Sequence, residues 1–183
     1  NMVVFSGAAG ARRIYDVIDQ PIKISNDQNL PELKPSAGSI KFSNVSFKYE
    51  NSNDKAIKNI NLDIKGGTIA AFVGHSGAGK STIINLLPRF YDPQSGEIFI
   101  DQQNTKSVNL NSLRKSISLV SQDVILFDSS VKNNILYANE DATEEEFINS
   151  CKFAAAEEFI QDLPQKHDTL IGENGMRLSG GQK

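Results

Sequence analysis

Apolar residues recur along this chain with different periods, and each period predicts a different element. From Gly7 to Gln20, Ala8, Ala11, Ile14, Tyr15 and Ile18 repeat at helical spacing, and Pro21 ends the run. Residues 21–38 are polar and carry Pro21, Pro31 and Pro35, the composition of a linker. Alternation starts at Ile40 and Phe42 and resumes at Val45, Phe47 and Tyr49, after a phase slip at Ser43-Asn44 that predicts a bulge. Glu50–Lys55 turns the chain, and Ile60, Leu62 and Ile64 alternate again, as in a hairpin or meander.

The pattern then changes. Thr68–Val73 is almost continuously apolar, as expected of a strand buried on both faces. Gly74–Gly79 interrupts it, and Ser81–Leu87 predicts a short helix that stops near Pro88. Glu97–Ile100 and Ser116–Val120 read as further strands. From Ser130 the pattern is helical: Thr143 and Glu146 have the spacing of a capping box, and Phe147, Cys151, Ala155 and Phe159 line one face as far as Pro164. An antiparallel edge, a parallel α/β core and a helical subdomain are therefore expected in that order. No internal repeat or low-complexity tract interrupts them.

Composition narrows the class. The 183 residues suit one domain with room for a subdomain. Hydrophobic residues at 39% and charged residues at 22% are ordinary globular usage, so disorder is not expected. A formal net charge of -3 with no basic run argues against nucleic acid as a partner, because phosphate backbones demand a positive face. Cys151 has no second cysteine to pair with, which fits a reducing compartment, and it reads as a small buried residue on a helix. No apolar run approaches the ~20 residues of a spanning helix, and nothing resembles a signal peptide. The sequence opens on Asn1 and closes inside a glycine-rich motif, so both ends read as cut and say little about membrane spans in a longer parent.

Chemistry enters at Gly74-His75-Ser76-Gly77-Ala78-Gly79-Lys80-Ser81-Thr82, which matches G-x-x-x-x-G-K-[ST] between an expected strand and an expected helix. Phosphate oxygens need several N–H donors at close range, and small residues let the backbone curl around them. The start of a helix adds its positive end. Lys80 is placed to reach the β- and γ-phosphates, and the Ser81 hydroxyl to ligate Mg²⁺. A glycine-rich turn matching by chance is the bland alternative, expected on the order of once in a hundred chains of this length. By itself the loop does not separate kinases, GTPases, motors and transport ATPases.

Leu178-Ser179-Gly180-Gly181-Gln182 separates them. It is a second candidate anion site, a serine hydroxyl with two glycine amides where a helix should begin. Alone it would be an unremarkable turn; about a hundred residues after a phosphate loop it resembles the LSGGQ signature of ABC-family ATPases. The resemblance covers nearly the whole chain and implies an α/β fold: a P-loop NTPase core with an antiparallel β subdomain and a helical subdomain at about 124–178. It implies ATP and Mg²⁺ as ligands. Tyr49 matches the aromatic that stacks on adenine, and Gln122 matches the glutamine that contacts Mg²⁺ and senses the membrane domain. Asp123–Phe127 continues like the corresponding exporter loop, and Thr169–Gly175, with Glu173, is similar to the short exporter loop before the signature.

The resemblance further implies that residues 1–39 are the cytosolic end of a last membrane helix plus linker, and that residues 40–183 are a partial nucleotide-binding domain. The parent is then an exporter half-transporter of multidrug or lipid type on the cytoplasmic face of a membrane, the bacterial inner membrane being the expected one. Its expected partners are its own transmembrane domain and a second nucleotide-binding domain, identical or not, with each ATP lying between the phosphate loop of one domain and the LSGGQ of the other. In the family the Mg²⁺ aspartate, the water-activating glutamate and the switch histidine follow the signature. Neither His75 nor His167 occupies that histidine's position, so these residues alone are expected to be inactive, with the C-terminal part of the core missing and Thr68–Val73 lacking a neighbouring strand. Two other readings stay open: a non-catalytic nucleotide-binding module, and a soluble ABC ATPase of translation or DNA repair. The spacing between the motifs leaves no room for the long coiled coil of the DNA-repair type.

Overall fold

The slip at Ser43-Asn44 shapes the first sheet. In the computed structural model, which describes residues 2–121, 124–172, 175, 178 and 179, strand β1 (Ile40–Phe47) pairs antiparallel with β2 (Ile57–Ile64) on one side and β3 (Ser95–Ile100) on the other. Both ladders lose register across 43–46, and Asn44 takes a φ of 50°, the extra residue of a bulge. The bulge turns Val45 and Phe47 into the core with Phe42. A short β4 (Gln103–Asn104) completes the order β2-β1-β3-β4. It joins β3 through Asp101-Gln102, both with positive φ, the backbone of a type I′ hairpin without the usual Asn-Gly.

Helix α2 (Lys80–Leu86) lays Ile83 and Leu86 on that sheet, against Phe42, Val45, Phe47, Ile57 and Ile98. Helix α3 (Leu110–Lys115) starts at an Asn109 side chain that accepts from the amides of Asn111 and Ser112, and it buries Leu110 and Leu113 against Ile100, Val108 and Leu33. Helix α1 (Met2–Ile18) ends ahead of Pro21 as expected, but it reaches back past Gly7, because a helical ladder can continue without an amphipathic period. Ile14, Tyr15, Val17 and Ile18 on α1 are all exposed. Among the described residues, no helix is long and apolar enough to cross a membrane.

Two expected strands do not form. Neither Thr68–Val73 nor Ser116–Val120 joins a ladder, and Ile69, Val73 and Val120 are almost fully exposed. An apolar run predicts burial, but a strand also needs a neighbour to pair with, and the described residues supply none beside either segment. The α/β class holds through the sheet-and-helix core; the parallel part of that core is absent from the described residues.

Residues 21–38 form no regular element, as their composition predicts, yet they are fastened along their length. The Leu110 amide bonds the Asn26 side chain, the Asn109 amide donates to the Pro31 carbonyl, and the Leu33 amide donates to Ser112 Oγ. Lys34 and Gln103 exchange two hydrogen bonds. The Asp101 carboxylate accepts the amides of Ser36, Gly38 and Ser39 at 2.7, 2.9 and 2.8 Å. Those amides hold its pKa far below the usual carboxylate range. A depressed folded pKa contributes stability that is present above the unfolded value, about 4, and that erodes as pH falls below it. Asp101→Asn is expected to remove hydrogen-exchange protection from the amides of Ser36, Gly38 and Ser39 at pH 7, and its gap in Tm from the parent should narrow below pH ~4. Unchanged protection at those amides would refute the clamp.

Residues 119–183 make a separate compact unit from 1–118. Helix α4 (Val131–Leu136) is capped by Ser130, and α5 (Glu144–Phe153) carries the expected capping box, with the Thr143 hydroxyl accepting from the Glu146 amide and Glu146 Oε2 accepting from the Thr143 amide. Val131, Phe147, Cys151, Ile160 and Ile171 form its core. The expected stripe does not run straight to Phe159. Ala155 has a φ of 53° and is exposed, so α5 stops and a separate helix α6 (Glu157–Gln161) begins. Ser129 and Ile171, and Val131 and Thr169, are bonded backbone to backbone, which ties the segment before the second motif to the start of α4.

Candidate functional site

The loop 74–79 gets its shape from left-handed residues. Gly77 and Gly79 have φ of 80° and 85°, and a Cβ on Gly79 would lie 2.6 Å from the Ala56 carbonyl oxygen, so only glycine fits there. The Ala78 amide donates to the His75 carbonyl at 3.2 Å and the Ile83 amide to the Gly79 carbonyl at 3.0 Å, joining the loop directly to α2. Lys80 folds back over this loop, and its Nζ donates to the carbonyls of Gly74 and His75, each at 2.8 Å. Gly74, His75, Ser76, Gly77, Ala78 and Ser81 are exposed, whereas Thr82 is buried. An ammonium parked on solvent-exposed carbonyls can be handed to a stronger acceptor, because water replaces it on those oxygens at small cost.

Tyr49, just past the end of β1, is brought to the same place. Its hydroxyl lies 3.1 Å from Thr82 Oγ1 in the first turn of α2. Its ring meets Phe47 and Tyr91 edge-on, with centroids 4.8 and 5.1 Å away. These three rings line a cavity of about 410 Å³ together with Lys23, Lys48 and Gln94. The sequence reading missed what holds Tyr91. Arg89, buried with a φ of 52°, grips Asp92 through Nε and Nη2 at 3.0 Å each. Arg114 donates to the carbonyls of Pro88 and Arg89 and stacks over Phe90, 5.5 Å from its centroid. Both arginines fix the loop after α2. Neither sits in a periodic pattern; the only available signal was an arginine three residues before an aspartate in a proline-bounded turn.

Of the expected site, Tyr49 and the 74–82 loop are thus assembled in the first unit. Ser179 belongs to the second unit, where the neighbouring Leu178 packs on its core. Gln122, Asp123, Glu173, Asn174, Gly180, Gly181 and Gln182 lie outside the described residues.

Residues 57–183 match the ABC transporter family. Over its full length the chain is 44% identical to ABC transporter B family member 2 of Dictyostelium discoideum, of which it covers 13%. It is 42% identical to the ATP-dependent lipid A-core flippase of Syntrophus aciditrophicus, of which it covers 30%. The chain therefore spans less than a third of either relative. Among solved structures, a bacterial Atm1-family ABC exporter with ATP bound superposes with a TM-score of 0.89 at 38% identity, over 98% of this chain and 31% of that one. A glycine-cradled lysine loop on a bulged sheet, a capped helical unit carrying the second motif, and likeness along the whole length agree: the chain belongs to the ABC transporter family and has the P-loop NTPase fold of its ATPase domain.

Proposed function

We propose that this chain is the ATP-binding part of an exporter, in which ATP binding and hydrolysis at a pair of such domains drive transport across a membrane. One observation carries the reading: the Lys80 ammonium and the left-handed Gly77 and Gly79 lie on a single exposed loop at the start of α2. That arrangement suits a polyphosphate, since Lys80 can leave the two carbonyls for the β- and γ-phosphates while the amides of 74–82 surround them. Mg²⁺ fits beside it: Ser81 is exposed on the first turn of α2 and offers an uncharged oxygen that suits a hard cation. Gln122 is assigned as the second protein contact to that ion. The adenine is assigned to the face of Tyr49, where the aromatic cavity offers room.

Ser179, Gly180, Gly181 and Gln182 are assigned to the nucleotide of a partner domain. An ATP polyanion neutralised from both sides draws two like-charged domains together, and hydrolysis releases them. The partners are then a second nucleotide-binding domain and the transporter's membrane domain, with the ATPase on the cytoplasmic face, in a bacterium that of the inner membrane. A multidrug or lipid cargo agrees with the flippase relative.

The test is titration with a fluorescent ATP analogue with and without Mg²⁺. Saturable binding that unlabelled ATP displaces is expected. Ser81→Ala should weaken only the Mg²⁺-dependent part, by about tenfold or more, as befits losing a contact to a charged group. Absence of saturable binding, or an equal effect of Ser81→Ala without Mg²⁺, would sink the reading.

A further inference from the structure

Three side chains that the nucleotide site does not use meet in the second unit. Cys151 ends the buried face of α5, Glu157 opens α6, and His167 sits in the 3-10 turn Lys166–Asp168. Two left-handed residues bring them together. Ala155, with a φ of 53°, lets the Ala156 amide reach back to the Cys151 carbonyl at 2.8 Å, so α6 starts beside the thiol. Lys166, with a φ of 49°, turns His167 toward α6. One donor atom from each of the three lies within 4.8 Å of the other two, and His167 Nε2 is 3.1 Å from Glu157 Oε2. The Phe147 ring stands edge-on to the imidazole at 5.1 Å and limits its rotation. Gln161 holds the other Glu157 oxygen at 2.7 Å.

We propose that Cys151, Glu157 and His167 form a binding site for a borderline-soft divalent cation of the zinc class. A tetrahedral zinc site has S, N and O ligands 2.0–2.3 Å from the ion, which sets its ligands roughly 3.3–3.7 Å apart. At 3.1 Å the nitrogen–oxygen pair stands just under that range and has to open slightly, while the sulfur has to close in by a change of rotamer. Thiolate and imidazole ligands select zinc over magnesium or calcium. The charges also balance: thiolate and carboxylate together neutralise the ion, whose positive charge in turn offsets the burial that pushes the Cys151 thiol up. Binding releases the Cys151 proton and replaces the His167–Glu157 hydrogen bond with two metal bonds. His167 and Glu157 side chains remain 18% and 23% exposed, enough for a hydrated ion to enter and keep a water as fourth ligand. An ion pair beside a core cysteine is the plainer account of the same contacts, and metal binding distinguishes the two.

Cys151 is the sole cysteine, so any thiolate-to-metal absorption must come from it. Titrating the 183-residue chain with Co²⁺ should give the charge-transfer band of a thiolate-bound tetrahedral ion, saturating at one equivalent and bleached by Zn²⁺. Zn²⁺ should also slow modification of the thiol by an aromatic disulfide by at least about tenfold. Glu157→Gln and His167→Gln should each weaken binding at least about tenfold with unchanged far-ultraviolet circular dichroism, while His75→Gln, in the other unit, leaves it intact. Absence of the band, or a band that survives both Glu157→Gln and His167→Gln, overturns the site.

Discussion

Lys80→Ala is expected to weaken ATP binding at least about 100-fold, the equivalent of about 3 kcal/mol. The ammonium contributes two things. In the free chain its bonds to the Gly74 and His75 carbonyls hold the loop curled, and with nucleotide present it supplies the positive charge that the backbone amides lack. The second role accounts for most of the loss, because both carbonyls are exposed and water can satisfy them. Thermal stability should therefore change little. Fluorescent-nucleotide titration and a thermal melt on the same protein separate the two roles. Binding by the alanine variant within threefold of the parent would contradict the assignment of Lys80.

The largest loss of stability is expected from Gly96→Ala. Gly96 lies opposite the bulge, between the pairs Ser43–Glu97 and Ser46–Ser95, with a φ of 82°. A Cβ there would stand 2.4 Å from the carbonyl oxygens of both Ser43 and Asn44. These are backbone atoms, so relief requires moving β1, and the left-handed conformation adds its own penalty. We expect a cost of about 3 kcal/mol, or roughly 6–12 °C in Tm for a chain of this length. The same substitution at Gly10 is the control. Gly10 is exposed on α1 with nothing near its missing Cβ, so Gly10→Ala should cost nothing. A Gly96→Ala variant melting within 2 °C of the parent, on the order of a surface change, would mean the bulge yields more easily than its geometry implies.

The parts that the sequence predicted well are those whose signal is local. A phosphate loop announces itself because nearby amides need small residues at fixed spacing, and the capping box at Thr143 needs only a glutamate three residues on. The bulge was legible because one skipped residue shifts the phase of alternation. Thr68–Val73 failed for the opposite reason: its composition describes the side chains, whereas strand pairing is decided by another segment. Ala155 and the Asp101-Gln102 turn adopt left-handed backbone without glycine, so turn chemistry gave no warning. Tyr49 was placed by resemblance, but the Arg89 and Arg114 grips behind its neighbour Tyr91 use ordinary surface-type residues, and the burial of Arg89 and the carbonyl contacts of Arg114 are revealed only by packing.

The fastening of residues 26–39 bears on mechanics. Beyond α1, residues 20 to 25 are held to β3 and α3 by the packing of Ile24 rather than by the hydrogen bonds that fasten the chain from Asn26 on, and Lys23 there pairs with Glu50. Fully extended, so short a segment takes up about 20 Å at most. Tension applied to α1 would thus run out of slack quickly and load the Asn26 and Pro31 bonds at the start of α3 first, with the Asp101 turn at the sheet's rim last in line, instead of being absorbed by a loose tether.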